Sequence, residues 1–210
     1  MKSIKNIRTD YVKNELNFDD LTAHPHELFN LWMTDALKQV VEPNAFVLST
    51  VNSEGKPSSR VLLLRELTNK GFNFFTNYNS QKSQDIDSNP FVCMNFFWNE
   101  VERQVRVSGR IEKLAADASD DYFNSRPYES KIGAWSSPQS SIIESRDVLN
   151  NNVKAFSSKY REDVPRPPHW GGYCVVADKI EFWQGRSSRL HDRFVYKLEG
   201  EEWKIERLAP

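Results

Sequence analysis

The sequence predicts a mainly β fold with flanking helices (α+β), built as an antiparallel barrel or sandwich around one core. Three observations lead there. Short β-rich runs recur through the middle and the end of the chain, Gly-containing turns separate several of them, and too few helices intervene for repeated βαβ units.

Residues 1 to 23 are polar and lack apolar periodicity, so the core is expected to start after them and the folded domain to span 24 to 210. Pro25 opens a helical pattern in which Leu28, Leu31, Trp32, Ala36 and Val40 recur at three- and four-residue spacing, and Pro43 ends it. Strands are expected at Ala45 to Val51, Ser58 to Leu64, Gly71 to Thr76, Phe91 to Phe97 and Gln104 to Glu112. Ser53-Glu-Gly55 and Asn69-Lys-Gly71 serve as turns. Helices are then expected from Ala115 to Ser125 and from near Ser141, where Ser141 and Glu144 have capping-box spacing, through Val148, Val153 and Phe156. After Pro165-Arg-Pro-Pro168, strand character resumes at Tyr173 to Val176, Ile180 to Trp183, Arg193 to Leu198 and Trp203 to Arg207. No internal repeat or composition shift marks a second domain.

Composition narrows the function. The 28 basic and 29 acidic residues of this 210-residue chain leave a net charge of −1, so no global field recruits nucleic acid or an anionic membrane. No apolar run reaches membrane-spanning length and the N-terminus has no apolar signal segment, which makes a cytoplasmic protein the expectation. Cys93 and Cys174 stand in apolar runs without a CxxC pair and read as buried thiols. No metal site is expected: His24 and His26 merely flank Pro25, and there is no HExxH. GxSxG, Walker and GxGxxG patterns are also missing.

What remains is a set of clusters suited to phosphate. Trp183-Gln-Gly-Arg-Ser-Ser-Arg189-Leu-His191-Asp-Arg193 gathers an aromatic ring, arginines and a histidine. If 189 to 193 is extended, Arg189, His191 and Arg193 share one face, although a solvated, charge-laced strand has the same pattern. Arg60, Leu62 and Leu64 share one face of the second strand and Val61, Leu63 and Arg65 the other; guanidinium forks suit phosphate oxygens, while charged strand ends also simply reach solvent. Thr76-Asn-Tyr-Asn-Ser80-Gln81-Lys82 offers hydroxyls, amides and an ammonium ahead of a short helix. Gln104, Arg106 and Ser108 form the polar face of a strand. Tyr122, Arg126 and Ser130 are four apart, and because Pro127 interrupts the helix they are expected to converge at its exit. Gly133 to Ser141 reads as a hydroxyl-rich loop that either closes over a ligand or simply caps the helix it leads into.

From Arg8 to Pro210 the chain resembles the pyridoxamine/pyridoxine 5′-phosphate oxidase family. The resemblance rests on Arg60-Val-Leu-Leu-Leu-Arg65, Glu102-Arg-Gln104-Val, Ser125-Arg-Pro, Ile132-Gly-Ala-Trp135 with Gln139-Ser-Ser, Trp170-Gly-Gly172, Ile180-Glu-Phe-Trp-Gln-Gly185, Arg189-Leu-His-Asp-Arg193 and Trp203 to Pro210. It implies an FMN-binding split β-barrel, a homodimer with both chains in each active site, and oxidation of pyridoxamine or pyridoxine 5′-phosphate to pyridoxal 5′-phosphate with reduction of molecular oxygen to hydrogen peroxide. Another split-barrel FMN oxidoreductase, such as a flavin reductase, or a non-catalytic FMN-binding module is the alternative. By resemblance Arg60, the Val61, Leu62, Leu63, Leu64 and Arg65 run, Phe75, Thr76, Gln81, Lys82, Gln104, Gln139, Ser140, Trp183 and Arg193 bind FMN. Arg65, Tyr122, Arg126 and Ser130 hold the substrate phosphate, and Arg189 and His191 place the pyridine ring for catalysis. Arg8 and Tyr11 then belong to a mobile N-terminal lid, residues 1 to 23. Arg65 stands where a lysine is usual in the family, Gln81 where an arginine is usual, and Phe75 where a tyrosine is common; loss of the charge at 81 bears on FMN affinity.

Overall fold

The computed structural model describes residues 3–210. Nine strands pair antiparallel throughout, in the order β2-β1-β5-β6-β7-β4-β3, with β8 on β7 and β9 on β8. They are β1 (Ala45–Val51), β2 (Pro57–Leu63), β3 (Glu66–Leu67), β4 (Phe72–Asn77), β5 (Phe91–Trp98), β6 (Arg103–Lys113), β7 (Trp170–Gln184), β8 (Asp192–Glu199) and β9 (Glu202–Leu208). The helices are α1 (Pro25–Ala36), α2 (Gln81–Ser88), α3 (Ala116–Asn124), α4 (Tyr128–Ser136) and α5 (Arg146–Lys159).

Period-two burial drives the sheet. Phe46 and Leu48 of β1, Val92, Met94, Phe96 and Trp98 of β5, and Val105 and Val107 of β6 point inward and are buried, each contributing roughly 1.5–3 kcal/mol. Phe29 of α1 meets Phe72 and Phe96 edge-to-face, both with centroids 5.0 Å apart, which fixes the helix on this core. The curl of the sheet comes from β7. Its residues 170–175 pair with β4 and its residues 179–184 with β8, and the change occurs beside a register shift at Ser108 and Gly109 of β6. A Cβ on Gly109 would lie 2.1 Å from the Val176 carbonyl oxygen, so only glycine permits the bulge. At the far edge the Leu64 N–H donates to the Asn44 carbonyl and the Arg65 N–H to that of Asn73, tying the end of β2 to β4.

Several expectations are corrected. The core begins earlier than residue 24: Leu16 is buried, and the Lys13 N–H donates to Glu102 Oε2. Residues 1 and 2 of the expected N-terminal segment lie outside the described residues. Helix α1 ends at Ala36, leaving Leu31 exposed and Val40 packed on the core from the following turn. Pro127 stops one helix and starts another: with φ −56° and ψ 148° it stands at the N-cap of α4, so Gly133 to Ser136 are helical rather than loop. Helix α5 starts at Arg146, capped by the Ser145 hydroxyl accepting from the Asp147 N–H, not at Ser141 with Glu144. The two expected strands at 173–176 and 180–183 are one strand, β7. Cys174 is buried, whereas Cys93 is only half-buried on the outward face of β5. Among the described residues no helix is long and apolar enough to cross a membrane.

Candidate active site

Lys82, in the first turn of α2, is buried yet has only neutral partners. Its Nζ donates to Thr76 Oγ1 at 3.1 Å, Ser80 Oγ at 2.9 Å and Gln139 Oε1 at 2.9 Å. Burial, with the Arg60 guanidinium nearby, lowers its pKa to about 8. Arg60 projects from β2 and donates to Thr50 Oγ1, Ser58 Oγ and the Leu48 carbonyl. The one carboxylate here is Asp85, 3.8 Å from Arg60 and already accepting from Thr50, Ser58 and Gln81 Nε2. Two cations therefore stand beside a single carboxylate, paired with Arg60 alone among the described residues, in a hydroxyl-lined recess whose charge and donors suit an anion.

A second cationic group borders it. Phe75 stacks on Tyr122 with centroids 4.0 Å apart and on Trp170 at 5.5 Å. Arg65 lies over the Tyr122 ring at 5.7 Å, and Arg126 over Trp170 at 4.6 Å. Neither guanidinium makes an ion pair among the described residues, and Arg126 Nη1 is buried without a hydrogen-bond partner. Burial, followed by the like charge of Arg65, lowers the Arg126 pKa despite the opposing influence of Tyr122. An orphaned donor of this kind calls for an external acceptor. A cavity of about 360 Å³ opens beside it, lined by Leu62, Phe75, Thr76, Arg126, Ser130 and Gln139 among others. Gly172 makes the stack possible, because a Cβ there would lie 2.7 Å from the Phe75 ring.

A third group sits elsewhere on the sheet. Gln104, Trp183 and Arg193 are cross-strand neighbours on β6, β7 and β8. The buried Glu181 orients Arg193, taking Nε at 2.9 Å and Nη2 at 2.8 Å, while Arg193 Nη1 donates to the Ala209 carbonyl. Trp183 meets His191 at 4.6 Å and Tyr11 at 5.6 Å, and Arg8, Tyr11, Arg186, Arg189 and His191 border a cavity of about 590 Å³. His191 Nδ1 accepts the Arg186 N–H at 3.1 Å, which leaves the proton of the neutral ring on Nε2. Burial and the neighbouring Arg189 and Arg193 charges lower the His191 pKa, which favours the neutral ring.

The structure thus gathers the sequence-derived residues into two separate halves. Arg60, Arg65, Phe75, Thr76, Lys82, Tyr122, Arg126, Ser130 and Gln139 form one; Arg8, Tyr11, Gln104, Trp183, Arg189, His191 and Arg193 form the other. No hydrogen bond, ion pair or ring contact joins them among the described residues. The extended reading of Arg189 to Arg193 is corrected: Ser188 and Arg189 have φ of +57° and +63°, and β8 begins only at Asp192. Arg189 and His191 meet at a cavity through a turn rather than along a strand. Tyr122 lines one recess with Arg65 and Phe75, while Arg126 and Ser130 line another that shares Phe75, so the three residues border two neighbouring recesses. Gln81 and Ser140 are exposed, the latter at φ +72°. Val61 is exposed on the face opposite Arg60, Leu63 shares its face, and Leu64 is in the core. Trp170 and Asp85 escaped sequence reasoning as site residues; Trp170-Gly-Gly172 carried a signal and Asp85 none, while Asn77 lay within the Thr76 to Lys82 cluster.

Comparison with known proteins decides the family. A family model described as pyridoxamine 5′-phosphate oxidase matches residues 33–160, and one described as the pyridoxine 5′-phosphate oxidase C-terminal dimerisation region matches residues 170–210. The chain belongs to the pyridoxamine 5′-phosphate oxidase family. Within this oxidase family, it is 51% identical over 208 residues to the pyridoxine/pyridoxamine 5′-phosphate oxidase of Neisseria meningitidis, covering 99% of each chain. It is 50% identical over 212 residues to the oxidase of the same description from Gloeothece citriformis, covering 100% of this chain and 99% of that one. The solved structure of PhzG from Burkholderia lata, in complex with tetrahydrophenazine-1-carboxylic acid, superposes with a TM-score of 0.88 at 27% identity, over 95% of this chain and all of that one. Membership of this oxidase family implies FMN binding, and the paired cationic recesses fit a phosphorylated cofactor together with a phosphorylated substrate.

Proposed function

We infer that the chain is an FMN-dependent oxidase converting pyridoxamine 5′-phosphate or pyridoxine 5′-phosphate to pyridoxal 5′-phosphate, with oxygen reduced to hydrogen peroxide and, for the amine, one water consumed and ammonia released. The observation that carries the two-phosphate reading is the pair of recesses with surplus positive charge, Lys82 with Arg60 and Arg126 with Arg65. Lys82, Arg60, Thr76 and Gln139 would hold the FMN phosphate. Arg126, Arg65, Tyr122 and Ser130 would hold that of the substrate. Bound FMN supplies the hydride acceptor for substrate C4′ and passes the electrons to oxygen. The chain's own part is placement: Arg189 and the His191 Nε2–H fix the pyridine ring, while the Tyr11 and Arg8 segment excludes water above it. Purified protein given FMN and pyridoxamine 5′-phosphate is expected to consume oxygen and release pyridoxal 5′-phosphate. Absence of turnover at full flavin occupancy would refute this function.

A homodimer unites the two halves. Phe97 of β5 is cross-strand to Gln104, in the same row as Trp183 and Arg193; Val61 and Phe91, like Phe97, are exposed, and Asn95 Oδ1 is buried without a partner. A second copy covering this face would set the Arg60 and Arg126 half of one chain against the Trp183 and His191 half of the other. Mixing Arg126→Ala with Arg189→Ala after subunit exchange should regain about a quarter of wild-type activity, because half the dimers are mixed and each has one intact site. No regain would refute shared sites.

Lys82 also sets a pH dependence. A phosphate dianion favours the charged ammonium, so the bound pKa lies above the free value of about 8. Below that pH the ammonium is charged with or without ligand and FMN affinity is flat. Above it the free lysine must first be protonated, and affinity falls by up to about tenfold per pH unit. FMN titrations from pH 6.5 to 9.5 should show this decline, and Lys82→Gln should remove most of it.

A further inference from the structure

We propose that Asp192 is a positioning residue for the substrate end of the active site, holding the N-terminal segment and the β7–β8 connection in one arrangement. The proposal rests on the function inferred above for its substrate. Asp192 opens β8 directly after His191 and is 6% exposed. Its carboxylate collects donors from three distant parts of the chain. Oδ2 accepts the Leu16 N–H at 3.2 Å and Arg186 Nη1 at 2.9 Å, and Oδ1 accepts Arg207 Nη2 at 2.5 Å. Burial works against its ionisation, but the Leu16 N–H, Arg207 and Arg186 outweigh it and hold the carboxyl below the usual range.

Each donor ties down something the reaction uses. Leu16 anchors the stretch that carries Tyr11, whose ring packs at 5.8 Å from His191 and occupies the space where a Cβ on Gly185 would stand. Arg186 grips Asp192 with its guanidinium and His191 Nδ1 with its backbone N–H, so carboxylate and imidazole are set by one residue; Glu15 Oε2 takes the same Nη1 at 2.8 Å. The intervening turn holds Ser188 and Arg189 at positive φ, an arrangement that non-glycine residues keep only when their surroundings impose it. Asp192 itself does not line the cavity of Arg8, Tyr11, Arg189 and His191. Its influence on substrate is therefore exerted through those residues, and it makes no hydrogen bond or ion pair with Lys82 or Arg60 among the described residues.

The test is Asp192→Asn in the FMN-loaded enzyme, with Arg186→Gln and Arg207→Gln as variants that each remove one donor should the first fail to fold. The KM for pyridoxine 5′-phosphate is expected to rise roughly 10- to 100-fold, as for loss of a charge-assisted hydrogen bond, with FMN affinity unchanged. Trypsin should cut after Lys13 faster than in the parent protein, a readout that holds whatever the substrate. Tyr11→Ala in the Asp192→Asn background should add little to the KM, since both act through the same segment. Wild-type KM and protease resistance would overturn the proposal, as would parallel loss of FMN and substrate binding, which would make Asp192 a general support of the fold. Failure of the parent enzyme to turn over would instead strike the inferred function, leaving the protease result to judge the latch.

Discussion

Arg126→Met is expected to weaken binding of pyridoxamine 5′-phosphate by roughly 10- to 150-fold while FMN stays bound, the loss of a charge-assisted phosphate contact of about 1.5–3 kcal/mol. The guanidinium lies over Trp170, 4.6 Å from the ring centroid, with Nη1 buried and unpartnered, so the free protein bears its desolvation without return. Methionine keeps the contact with Trp170 and removes that cost. The variant should therefore keep or raise the melting temperature of the ligand-free protein while losing substrate affinity, an opposition that a merely structural arginine would not give. Substrate saturation, flavin titration and a thermal melt on one preparation check all three. Equal weakening of FMN and substrate would remove Arg126 from the substrate phosphate site.

Arg60→Ala should give the converse, with FMN affinity falling by a similar roughly 10- to 150-fold and the KM of whatever enzyme remains flavin-loaded near normal. Arg60 also faces Asp85, whose carboxylate keeps Thr50, Ser58 and Gln81 as donors after the arginine is gone. The recess would then pass from two cations over one carboxylate to one over one, cancelling its surplus charge. Gln81 sharpens the effect, since its amide is spent on Asp85 and brings no charge to the cofactor. Flavin fluorescence titration of the apo variant measures it, and wild-type affinity would exclude Arg60 from the phosphate grip.

The strands were legible because each buries one face: alternation in Phe46 to Thr50 or Val92 to Trp98 is a direct print of the sheet. Pro127 was legible only as a break, since the same fixed φ both stops a helix and starts one, and α4 was missed for that reason. Leu16 escaped because one buried leucine in a polar stretch has no period. At the site, residue types pointed to clusters of positive charge, which the structure shows around Lys82 with Arg60 and around Arg126 with Arg65, while the four-residue spacing of Tyr122, Arg126 and Ser130 left them lining two neighbouring recesses. The left-handed backbone at Ser188 and Arg189 was not readable, because neither residue type announces a positive φ and nothing in the local pattern required one. The division into two half-sites is a property of surface placement, which no local pattern encodes.

If the FMN phosphate occupies the recess of Lys82, as inferred above, the lysine buried among hydroxyls and an amide would make the chain dependent on its cofactor for more than chemistry. Without a dianion, Lys82 and Arg60 repel one another out of water; with one, that repulsion becomes attraction, and binding to the folded chain alone adds RT ln(1 + [L]/Kd) to its stability. The folded fraction, and with it resistance to cellular proteases, then rises and falls with the flavin supply. On that reading, chains made when flavin is scarce would be removed sooner than chains made when it is plentiful, and enzyme abundance would follow cofactor availability through the electrostatics of one recess.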